Sequence, residues 1–160
     1  MTRRFRLPSL PLWSLGALAW GLTMASCFLL SIHVFGRASG SHDMALTAIY
    51  AAGGMLGWLV ALPLVQVSGD GRDAPKVFAA WFLLLGLATM AATAGLFALQ
   101  YRFFYAHWHA PFPSRIWVYQ FVFTSASALY QFAVLGLRHF LPTAFLILLL
   151  LAVLMARRSR

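Results

Sequence analysis

The sequence contains no glutamate and only three acidic side chains, Asp43, Asp70 and Asp73. Charged residues fill 9% of its 160 positions, against about 25% in typical soluble domains. That shortage excludes a water-soluble domain. None of the three aspartates falls inside an apolar run. A proton relay through buried carboxylates, the usual device of pumps and many secondary transporters, therefore has no residue to use. Cysteine occurs once, at Cys27, deep in the first apolar run. Disulfides within one chain, CxxC redox pairs and thiolate metal clusters are excluded with it. There is no Walker-type glycine loop, no G-x-S-x-G elbow and no H-E-x-x-H motif, and the connections are too short to build a soluble catalytic site. Asp70 and Asp73 share a turn with Arg72 and Lys76, which reads as charge pairing in water rather than paired-carboxylate catalysis. Internal repeats, low-complexity tracts and linkers are also missing, so the 160 residues read as one integral membrane domain.

What the sequence has is apolar length and arginine. Hydrophobic residues make up 62% of the chain, and its mean hydropathy is +0.80. Runs at 12–35, 44–67 and 77–99 each match the roughly 20 residues that cross a hydrocarbon core about 30 Å thick. Alternating ten-residue strands of a membrane β-barrel do not occur. Short polar turns at 36–43 and 68–76 separate the runs. A longer connection, 100–115, mixes Tyr101, Phe103, Phe104, Tyr105, Trp108 and Phe112 with arginine and histidine. It is expected to be an aromatic interfacial loop lying against head groups. The opening Arg3-Arg4-Phe5-Arg6 resembles a secretory signal, and Met24-Ala25-Ser26-Cys27 weakly resembles a lipoprotein cleavage box. The run continues to Phe35, longer than a signal core, so it is expected to stay as the first span.

Residues 116–156 form one mainly apolar stretch. As a single helix it would be roughly 60 Å long, twice the hydrocarbon thickness. Geometry therefore favours two spans, 116–137 and 140–156, with a tight turn near Gly136 to Pro142. The expected fold is an all-α polytopic transmembrane bundle of five spans without a soluble domain. Charge points elsewhere. With the N-terminus inside, five spans put six basic residues on each side, whereas four put eight inside against Arg37, Arg102 and Arg115 outside. Four spans would leave Arg138 in or near the membrane and part of 116–137 re-entrant or interfacial. The net charge of +9 sits at the ends of apolar runs, where phospholipid head groups lie, so lipid and not nucleic acid is the expected partner. A bacterial inner membrane with a cytoplasmic N-terminus fits these features.

Three groups of residues stand out. Gln120, Thr124, Ser127, Gln131 and Arg138 fall within a sector of roughly 60° at about 100° per residue, making one polar stripe on an apolar helix. The stripe reads as interhelical hydrogen bonding, or alternatively as the lining of a pathway or pocket for a polar solute or a quinone head group. His33, His42, His107 and His109 would reach the outer face together with Asp43, where a metal or haem site is conceivable. His139 would lie at the other face and join nothing. Gly53 and Gly57 form G-x-x-x-G, and Ala17, Gly21 and Ala25 are spaced four apart. Such faces let helix backbones approach, more readily within the monomer than between copies, and Thr89 and Thr93 could add hydrogen bonds to that packing.

With no extramembrane chemistry of its own, the chain is expected to be an accessory, anchor or assembly subunit, packing against another membrane protein or itself. The alternatives are a small oligomeric channel or facilitator lined by the stripe, and a membrane redox or metal protein using the outer histidines. No cofactor is predicted, with haem, metal or quinone belonging to that last alternative. An enzyme is the less favoured class.

Overall fold

The structure, a computed structural model, describes residues 10–37, 40, 42–68 and 73–159. Arg3, Arg4, Arg6, Asp70, Arg72 and Arg160 lie outside the described residues. Five helices follow one another: α1 (Leu10–His33), α2 (Asp43–Ser68), α3 (Ala74–Trp108), α4 (Arg115–Phe140) and α5 (Thr143–Arg158). Among the described residues there is no strand. The first four helices are long and apolar enough to cross a membrane, and α5 has 16 residues.

Local chemistry sets the helix ends. After α1, Gly36 and Gly40 adopt φ of +61° and +82°, a conformation open to glycine at little cost. Pro75 sits in the first turn of α3, where its missing N–H is not needed. Ser114 caps α4, its hydroxyl oxygen accepting from the Trp117 N–H at 3.1 Å.

The first four helices pack antiparallel in succession. Gly16 lies under the Trp58 ring, Gly21 against Ala51 and Met55, and Phe28 stacks on Tyr50 with centroids 4.6 Å apart, which pairs α1 with α2. Gly53 meets Thr93, Gly57 meets Thr89, and Trp58 meets Trp81, which pairs α2 with α3. Phe132 packs on Phe97, Phe145 on Phe82, and Val153, Ala156 and Arg157 lie beside Ala74, Pro75 and Phe78. Numbers rise through α4 and α5 while they fall along the whole of α3. The last two helices are thus two parts of one broken path running back along α3.

The chain therefore does not reverse between Gly136 and Pro142, where the five-span reading needs a tight turn. It narrows to a 3-10 turn at Leu137–Phe140, steps at Leu141, and continues in the same direction as α5. Pro142 has no N–H to offer the preceding turn, which accounts for the step. The first half of α3 supplies the apolar face, Phe78, Phe82 and Gly86, on which α5 then packs. The core lies between α1, α2, α3 and this broken path, with Met24, Phe28, Leu62 and Leu85 almost wholly inaccessible.

The segment 100–115 is also more ordered than a loop. Helix α3 runs on through Tyr105 and a 3-10 turn at Ala106–Trp108, leaving only 109–114 to turn the chain. Its exposed Phe103, Phe104 and Trp108 are helical residues, while Phe112 lies in the turn; ring contacts such as Tyr101 with Tyr105 (4.6 Å) and Phe104 with Trp108 (5.5 Å) hold the helical part. As a result, α4 starts far from the bundle. Its Gly136 carbonyl meets Tyr50 of α2. Counting back from that contact at about 1.5 Å per residue, the first residue of α4 lies roughly 20 Å beyond the first residue of α2.

Candidate functional site

At the end of α1, helices α1 and α2 converge on His139 of α4. Ser31 Oγ and His139 Nδ1 share a hydrogen bond of 2.9 Å, and both residues are buried. The imidazole packs against Phe28 (5.0 Å) and Tyr50 (6.0 Å). The Tyr50 hydroxyl donates to the Gly136 carbonyl at 2.6 Å. That carbonyl belongs to a π-helical widening at Phe132–Gly136, where each turn takes in an extra residue and leaves backbone groups to find other partners. Just outside, the Arg37 guanidinium donates through Nη1 to the backbone carbonyls of Arg138 and Leu141. These carbonyls flank the step between α4 and α5, so the arginine supplies donors that a continuous helix would have supplied itself.

Beside this cluster is a cavity of about 270 Å³. Four aromatic rings, those of Phe28, Tyr50, Phe97 and Phe132, contribute to its wall. Its polar lining comes from Gln131, Arg138 and His139. The Gln131 amide donates to the Tyr101 hydroxyl at 3.4 Å, near the long limit for such a bond. A second cavity of about 330 Å³ lies towards α5, between α1, α3 and residues 137–148. It is apolar except for Thr89, whose hydroxyl accepts from the Trp20 indole N–H at 2.9 Å.

The residues of the predicted polar stripe have different surroundings. Gln131 and Arg138 line the first cavity. Gln120 Oε1 instead accepts from the Ala110 N–H at 2.8 Å and closes the turn between α3 and α4. Thr124 donates to its own helix at the Gln120 carbonyl, 2.6 Å away, and Ser127 is exposed. The histidines are likewise dispersed. His33, His42 and His107 are exposed and His109 is half-buried. Among the described residues no three of His, Cys, Asp or Glu come together as a metal site would need. The histidine set aside at the sequence level, His139, is the buried one, and it lies beside Ser31 near the same end of α1 as His33.

The small residues lie between helices of this chain. Gly53 and Gly57 face Thr93 and Thr89 of α3, Ala17 and Gly21 are buried between α1 and α2, and Ala25 is half-buried. Sequence spacing contained no signal for Ser31, Arg37, Tyr50 or His139 acting together. Their contacts join positions about a hundred residues apart, where the end of α4 meets α1 and α2.

An extended uncovered apolar surface lies on α4. Ile116, Tyr119, Val122, Phe123 and Tyr130 are all more than half exposed, Tyr130 reaching 70%. At its inner side Arg102 lies over the rings of Trp117 and Phe121, 5.1 and 4.2 Å from their centroids, tying the outer parts of α3 and α4 together. No family model matches the chain, and comparison with curated proteins and with solved structures likewise finds no match.

Proposed function

We propose that the chain is an integral membrane protein of four crossings that serves as an accessory or assembly subunit, docking to a larger membrane protein through the outward face of α4. The crossings are α1, α2, the inner part of α3, and the broken path from about residue 132 through α5. The α4 and α5 halves both run opposite to α3, which supports counting them as one passage. The same arrangement leaves the outer ends of α3 and α4 as a helical hairpin beyond the bundle. It puts Arg157 and Arg158 on the side of Lys76, and Arg37, Arg102 and Arg115 on the other, the asymmetry expected of a cytoplasmic N-terminus. A bacterial inner membrane suits that charge pattern.

The observation that carries the docking reading is the position of the apolar α4 surface. Helix α2, at 26 residues, is already roughly 39 Å long and exceeds the hydrocarbon core. The α4 surface extends roughly 20 Å further, rich in Phe, Tyr, Val and Ile that water would not cover favourably. Its aromatic content also matches the anchors enriched at protein interfaces. A channel lined by the polar stripe has less support, because Gln120 and Thr124 spend their bonds locally.

Native mass spectrometry of the protein released from its own membrane in mild detergent tests this reading. A larger membrane protein bound at fixed stoichiometry is the expected result. A chain that emerges alone, or only with copies of itself, overturns it.

A further inference from the structure

We propose that the cavity between Phe28, Phe97, Gln131 and Arg138 is a binding site for the head ring of a membrane quinone. Its volume of about 270 Å³ falls just below the range of drug-sized ligand pockets, about 300–1,000 Å³. That space suits a single substituted ring and not a whole lipid. Aromatic side chains on four helices form its wall: Phe28 from α1, Tyr50 from α2, Phe97 from α3 and Phe132 from α4. A flat conjugated ring stacks on such surfaces, offset or edge-on, and gains contact that a flexible acyl chain does not.

The polar groups are donors suited to carbonyl oxygens. Gln131 offers an amide N–H₂ on a long, readily exchanged bond to Tyr101, and Arg138 brings a guanidinium. No acidic side chain lines the cavity. A phospholipid phosphate would call for several cations or converging backbone N–H groups. The lining offers one guanidinium beside four rings, which favours a neutral acceptor. The apolar cavity on the far side of Leu137 and Phe140 gives an isoprenoid chain a place towards the membrane interior. The site stands whether or not α4 docks to a partner, since Phe28, Tyr50 and Phe132 of its wall are buried within the bundle.

Equilibrium binding of decylubiquinone to the chain in phospholipid nanodiscs tests the site, with bound quinone counted per protein. Saturable binding near one quinone per chain is expected. Gln131→Leu should weaken it by about tenfold, the loss of one hydrogen bond to a buried acceptor. Leu135→Trp, at a half-exposed position on the cavity wall, should abolish it by filling the space while leaving the melting temperature of the protein close to wild type. Uptake no greater than into empty nanodiscs overturns the proposal. So does equal binding by both folded variants, or displacement of decylubiquinone by an anionic phospholipid that the variants then fail to retain.

Discussion

Ser31 and His139, 108 positions apart in the chain, share a buried hydrogen bond of 2.9 Å that fastens the end of α1 to the step between α4 and α5. Replacing Ser31 with alanine leaves the imidazole nitrogen without that partner in a site closed to water. Ser31→Ala should destabilise the fold by about 1 kcal/mol, read from thermal or denaturant unfolding in detergent. A Ser31→Ala protein as stable as wild type would mean that the contact holds nothing together.

Arg37 makes a different kind of attachment, from a side chain to the carbonyls of Arg138 and Leu141. Unpaired carbonyls in a non-aqueous setting cost several kcal/mol. Arg37→Ala should therefore loosen residues 137–142, with faster amide hydrogen exchange there and little change in α2. Arg37→Lys retains a charged donor but loses the fork, and should fall between the two.

Two glycines and a third make a controlled comparison. A methyl group on Gly57 would lie 2.6 Å from Thr89 Cα, and one on Gly53 2.8 Å from Thr93 Cα, so neither fits unless the helices separate. Gly53→Ala and Gly57→Ala should each cost about 1–3 kcal/mol. Gly95, in the interior of α3, has open space where its methyl would go, and Gly95→Ala should be neutral or stabilising by about 0.5–1 kcal/mol. Unfolding in detergent separates the two classes.

The number of crossings is testable because the chain has a single cysteine, buried at Cys27. In a Cys27→Ala background, Asp73→Cys and Arg157→Cys should react with an impermeant maleimide from the same side of the membrane. Trp108→Cys should react from the opposite side. Labelling of Arg157→Cys from the Trp108 side would restore five crossings.

The helices were readable from the sequence because apolar runs of spanning length report directly on burial. The runs at 12–35 and 44–67 differ from α1 and α2 by one or two residues at each end. Small-residue spacing on α2 was readable for the same reason, as a periodic pattern on one helix. The path after Gly136 was not. Residue length alone argues for two helices, and it cannot say whether the second turns back or continues. That outcome depends on which face of α3 is left uncovered, a property of the assembled bundle. The extent of α3 was masked similarly, because aromatics and arginines at 100–108 lower hydropathy without breaking a helix. The cluster at His139 escaped notice because its members, Ser31, Arg37, Tyr50 and His139, carry no shared spacing.

The central claim is that the outward face of α4 meets a larger membrane protein. Photocrosslinking in the native membrane tests it most directly, with a photoreactive residue placed at Tyr119 or Phe123 on α4, and at Leu15 or Leu22 on the exposed side of α1 as a control. One discrete, larger crosslinked protein is expected from both α4 positions and none from α1. Crosslinks to lipid alone from α4, or the same products from both helices, would contradict it.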